Sequence, residues 1–161
     1  MQVDVLFARR SAVTYPLYTI GYGGMSAGRL AKIVHALNAM LVDIRFRAAS
    51  RKPEWNKGAL TKLMGDRYLH VPSLGNELYR SGGMKIANYQ AGKEMIESIA
   101  MPVVLLCACA SPEECHRTVV GDMLRADGYT VIELTRTEIE KALATADPVP
   151  TQSSQMSFWS E

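Results

Sequence analysis

Apolar residues recur in two rhythms along this chain. Val103-Val104-Leu105-Leu106 is an unbroken run with no alternation, the pattern of a strand covered on both faces. Leu17 to Ile20, Leu41 to Arg45, Tyr68 to Val71 and Tyr129 to Leu134 read as further strands. Between them the spacing shifts to three and four. Ser26 is placed to cap a helix carrying Leu30, Ile33, Val34 and Leu37, and Asn56 a short one carrying Leu60, Leu63 and Met64. Another helix is expected over about 85–99. Thr135 and Glu138 form a capping box before Ile139 and Leu143.

The run at 103–106 leads directly into Cys107-Ala108-Cys109-Ala110-Ser111-Pro112-Glu113-Glu114-Cys115-His116-Arg117. Ser111 offers an N-cap, Pro112 a first helical position and Glu114 a capping-box partner, so Cys115, His116 and Arg117 are expected in the first turn. Val119, Val120, Met123 and Leu124 continue the helix, and Gly128 ends it.

Strands alternating with helices predict an α/β fold, a three-layer sandwich with a mainly parallel central sheet, Rossmann-like. The unit from Leu17 to Arg45 is a βαβ crossover, expected to be right-handed. The carboxyl ends of three strands then bring Gly21 and Tyr22, Asp43 and Arg45, and Cys107 and Cys109 to one edge, where such sheets bind ligands. The expected organisation is an extension at 1–16, in which Val3, Val5 and Phe7 alternate, one domain over 17–146, and a polar tail at 147–161 released by Asp147-Pro148-Val149-Pro150. No internal repeat is seen.

With 161 residues the chain can bury the core of one domain. Its net charge of +2 does not by itself call for a nucleic-acid partner. No apolar run is long enough to cross a membrane, so no membrane association is expected. Three cysteines confined to 107–115, with no apolar signal core near Met1, point to reduced thiols and a cytoplasmic protein.

Cys115, at a helix start beside His116 and Arg117, has the setting of a thiolate nucleophile; it equally fits a packed core position in line with Val119 and Met123. A cysteine-phosphatase loop is excluded because Gly121 and Asp122 follow where its arginine is needed. Cys107, Cys109, Cys115 and His116 could in principle surround zinc. Without paired C-x2-C spacing, and with Cys115 and His116 diverging on a helix, neither metal nor other cofactor is expected. Asp43 and His116 are acid/base candidates, and Arg45, Arg47 and Arg117 candidate phosphate ligands. The alternative for Asp43 and Arg45 is an ion pair holding the basic loop. That loop embeds Trp55 among Arg47, Arg51, Lys52 and Lys57, with Tyr22, Tyr68 and Tyr79 expected near the same edge. Phosphate grip plus stacking is how single strands and extruded bases are held. The long connection after Tyr68 to Val71 contains Asn76, Tyr79 and Arg80 and reads as a binding loop.

Thr19-Ile20-Gly21-Tyr22-Gly23, Leu41-Val42-Asp43-Ile44-Arg45, Pro53 to Leu60, Tyr68 to Gly75 and the stretch ending in Cys115-His116-Arg117 resemble the DUF488 family over roughly residues 17–134. The resemblance implies an α/β fold and a polar site at these positions, with no agreed reaction. Relatives usually carry an acidic residue two places after the first cysteine, where this chain has Cys109. In the tail, Gln155, Met156, Phe158 and Trp159, with Ser157 between, resemble the peptide with which bacterial replication and repair proteins grip the sliding clamp. The combined expectation is action on a nucleic acid or nucleotide in repair or modification. The reaction is hydrolysis or transfer at a base or glycosidic bond. Catalysis falls to Asp43, Cys115 and His116. Binding falls to Tyr22, Arg45, Arg47, Trp55, Asn76, Tyr79 and Arg117. A clamp-binding adaptor without catalysis and a thiol enzyme acting on small metabolites are the alternatives.

Overall fold

The computed structural model describes residues 15–109 and 111–146. Five strands form one all-parallel sheet: β1 (Leu17–Gly21), β2 (Met40–Asp43), β3 (Tyr68–His70), β4 (Val103–Cys107) and β5 (Val131–Glu133). They lie in the order β3-β2-β4-β1-β5. Among the described residues five α-helices connect or follow them: α1 (Ala27–Ala36), α2 (Lys57–Met64), α3 (Tyr89–Glu97), α4 (His116–Ala126) and α5 (Arg136–Thr145). The architecture is the expected α/β one.

Side chains alternate across the sheet and divide the core in two. Val104 and Leu106 join Ile20 and Leu41 against Leu30, Ile33 and Val34 of α1, Leu60 and Met64 of α2 and Ile139 of α5. Val103 and Leu105 point the other way, to Ile96 of α3 and Val120 and Leu124 of α4. Every residue of β4 is buried because both faces of the central strand are covered, which is why its sequence lacks alternation. The outward path β1, β2, β3 uses helices on one face, and the return through β4 to β5 uses helices on the other.

Two helix starts differ from expectation. Helix α3 begins at Tyr89, where Asn88 accepts the Ala91 amide; Ile86 instead bridges antiparallel to Asn76. Helix α4 begins at His116, with Cys115 as N-cap. Ser111 takes the Glu113 amide at 3.4 Å, and the Pro112 carbonyl accepts from the Cys115 amide at 3.2 Å and the Thr118 hydroxyl at 2.5 Å. These bonds close a local turn before the helix. The buried side of α4 is therefore Val120, Gly121 and Leu124, with Val119 and Met123 half-exposed. Asn56 does occupy the N-cap of α2, but its side chain accepts the Ser50 amide at 2.7 Å rather than a helix amide. Leu63 faces solvent. The expected edge strand at Val3 to Phe7 and the clamp-like peptide lie outside the described residues. Among the described residues no helix is long and apolar enough to cross a membrane.

Candidate functional site

The site sits where β1, β4 and β2 end side by side. Their register aligns Gly21 with Cys107 and Asp43 with Leu106, so three chain segments leave the sheet at the same level. Beyond β2 the chain is held by an ion pair. Asp43 is wholly buried and accepts from Arg45 Nε at 2.8 Å, Arg45 Nη2 at 2.6 Å and the Tyr68 hydroxyl at 2.7 Å. Arg45 also donates to the Trp55 carbonyl at 2.8 Å. Burial alone would disfavour its charge, but Asp43 outweighs this and its pKa is raised. The pair thus ties the end of β2 to the turn at Pro53–Trp55, which is the structural alternative read from the sequence. Both Asp43 oxygens are engaged, one by Arg45 and the other by Arg45 and Tyr68.

Trp55 is fully buried and stacks face to face on Tyr22, centroids 4.1 Å apart and planes 9° from parallel. One face of each ring is thus covered by the other, and Trp55 has no exposed surface, while Tyr22 is half-exposed. Arg117 is likewise internal, at 1% exposure. It donates to Glu133 at 3.0 Å and, through Nη1, to the Cys109 carbonyl at 2.8 Å. Burial opposes its charge, but Glu133 and the neighbouring Cys115 raise its pKa. Arg117 thus ties the chain after β4 to Glu133 of β5. Asn76 is spent in the same way, donating to the Gly83 carbonyl and accepting the amides of Leu78 and Lys85, which closes the loop at 76–85.

His116 does not meet Asp43. Its Nε2 lies 2.9 Å from the Ile44 carbonyl, which can only accept, so Nε2 carries the hydrogen. Nδ1 faces Cys107 Sγ at 3.5 Å. Around that sulfur the structure gathers all three cysteines: Sγ of Cys107, Cys109 and Cys115 lie within 4.8 Å of one another. Cys107 and Cys115 are buried but belong to neither apolar cluster, while Cys109 is exposed. Hydrogen bonding from Cys107 toward its two neighbours raises its own pKa and lowers that of Cys115, aided there by His116 and the Arg117 amide.

A cavity of about 290 Å³ opens over this cluster. Arg45, Arg47, Asn76, Tyr79 and His116 line it, as expected of site residues, together with Phe46, Ala49, Cys107, Ala108 and Cys109. Asp43, Tyr22, Trp55, Arg117 and Cys115 are not part of its lining. Phe46, Ala49 and Ala108 were absent from the expected site; Cys107 and Cys109 were expected at this sheet edge but given no catalytic or binding role. The Cys-Ala-Cys step at the end of a buried strand was the available signal for the two thiols. Phe46 carried none, since nothing in its local pattern separates a pocket wall from a core residue.

The sequence matches the family described as "Domain of unknown function DUF488" over residues 35–124. No curated protein and no solved structure matches it. The matched span runs from the last two residues of α1 through most of α4, and so contains β2, β3, β4 and every residue lining the cavity. On that match, which takes in more than half of the chain, this protein belongs to the DUF488 family.

Proposed function

We infer that this protein acts on a nucleotide, free or displayed by a single strand, with its base end directed at the thiols and His116. One observation carries the reading: a single cavity joins two different kinds of group. At the mouth, Arg47 is exposed and pairs with no other described residue, and Tyr79, 45% exposed, lies tilted against Phe46 at 6.4 Å. Lining the same cavity are buried Cys107 and His116 and exposed Cys109. An unpaired guanidinium beside aromatic rings suits a phosphate carrying a planar base. The exposed Arg51 and Lys52 of the same loop, and Lys57 at the start of α2, would extend the grip along a strand. The chemistry is transfer or hydrolysis at the base or its glycosidic bond.

Fluorescence anisotropy with a labelled single-stranded oligonucleotide, titrated at several salt concentrations, tests this. Affinity should fall as salt rises, and Arg47→Ala should flatten the log–log slope by about 1. A complex that is indifferent to salt, or no complex at low salt, sinks the reading. Recruitment to DNA through Gln155, Met156, Phe158 and Trp159 belongs to the same proposal and rests on the sequence pattern. Deleting 151–161 should abolish co-elution with a bacterial sliding clamp while leaving oligonucleotide binding intact.

A further inference from the structure

We propose that Cys107, Cys109 and Cys115 hold a zinc-class cation as three thiolates, with the fourth position open to the cavity. Zinc–thiolate bonds of about 2.3 Å at tetrahedral angles place sulfurs about 3.8 Å apart. The observed separations, all within 4.8 Å, therefore need to close by no more than about an ångström. Spacing along the sequence hid this arrangement. Cys107 ends β4, the chain doubles back so that the Cys109 amide meets Cys107 Sγ at 3.5 Å, and Cys115 arrives as the residue before α4. As N-cap, Cys115 does not share a helical turn with His116, so the divergence expected of adjacent helical ligands does not arise.

The surroundings are built for a cluster that stays put. Arg117 Nη1 fixes the Cys109 carbonyl at 2.8 Å and is itself fixed by Glu133. A Cβ on Gly21 would come within 1.7 Å of that same carbonyl, so β1 can pass only as glycine. Three thiolates around a divalent cation carry a net negative charge, and the buried Arg117 guanidinium beside Cys115 and Cys107 offsets it. His116 Nε2 is anchored on the Ile44 carbonyl, which fixes Nδ1 3.5 Å from Cys107 Sγ. Sulfur donors select zinc or copper(I) over magnesium or calcium. Because Cys107, Cys109 and His116 line the cavity, the remaining position faces an incoming ligand, as in catalytic rather than closed structural sites. A Lewis acid there would supply the electrophile that the nucleotide reading needs. The metal inference nevertheless stands on the thiols alone.

The test uses the full chain purified without oxidant, with metal counted by elemental analysis and the site replaced by cobalt(II). One zinc per chain is expected. The cobalt form should show tetrahedral d–d bands and sulfur-to-cobalt charge transfer. Cys109→Ser, at an exposed position, should keep the wild-type circular dichroism and weaken zinc by more than the 10–100-fold typical of losing an outer partner. Cys115→Ser should do the same or worse. Three freely reactive thiols with no retained metal in a folded chain overturn the proposal. So does a disulfide between any two of these cysteines, or a cobalt spectrum unchanged by Cys109→Ser. Zinc without oligonucleotide binding would leave this site standing and remove the nucleotide reading; oligonucleotide binding without zinc would do the reverse.

Discussion

Asp43 illustrates how one side chain decides between support and chemistry. Sequence placed it at the end of a strand beside arginines, which serves an acid/base residue and an internal ion pair alike. Burial settles its place: it is closed off and holds Arg45, which holds Trp55. Removing one partner strands a buried charge, so Asp43→Ala should cost about 3–5 kcal/mol, read from the urea midpoint. The partly exposed Lys85–Glu77 pair is a contrast; Glu77→Ala should cost less than about 1 kcal/mol. Tyr68 reports on the same site. Burial first, and then the Asp43 charge, raises its pKa above the ordinary 10.0. The native state therefore keeps a proton that the unfolded chain releases. Stability from this group is complete below pH 10.0 and falls as pH climbs past it. Tyr68→Phe should flatten that alkaline decline, followed by thermal melts from pH 9 to about 11.

At the scale of elements, hydrophobic rhythm located most of the described strands and helices, because the core strands and the helices covering them bury apolar faces. Starts were less legible. Ser111-Pro112-Glu113-Glu114 carries every local mark of a helix N-terminus, yet the chain bends once more before α4. Local patterns cannot register that the thiols and Arg117 draw this segment toward β1 and β4 from elsewhere in the fold. Trp55 was misplaced for a similar reason: basic neighbours suggested exposure, while its contacts come from Tyr22 and Arg45. The close approach of β1 to the Cys107–Cys109 turn is testable here. Gly21→Ala places a methyl where the Cys109 carbonyl stands, and should lower stability by roughly 1–3 kcal/mol through overpacking. Differential scanning calorimetry would read this as a lowered Tm. An unchanged Tm would mean that the turn yields freely.

For the whole molecule, the α/β class and the convergence of three strand ends could be read from alternation and glycines, and the sheet bears both out. Which groups face the cavity could not, since that depends on side-chain direction at strand ends rather than on period. The order of strands has a further consequence for how the protein is made. Among the described residues β1 pairs with β4 and β5, so neither of these neighbours exists until residues 103–133 have been synthesised. A fragment ending at 101 should give β2 and β3 but no cooperative melt by circular dichroism. During translation, then, the strand that emerges first waits longest: its backbone amides remain open on the ribosome for more than eighty residues, an interval in which a chaperone or a second nascent chain could occupy that edge.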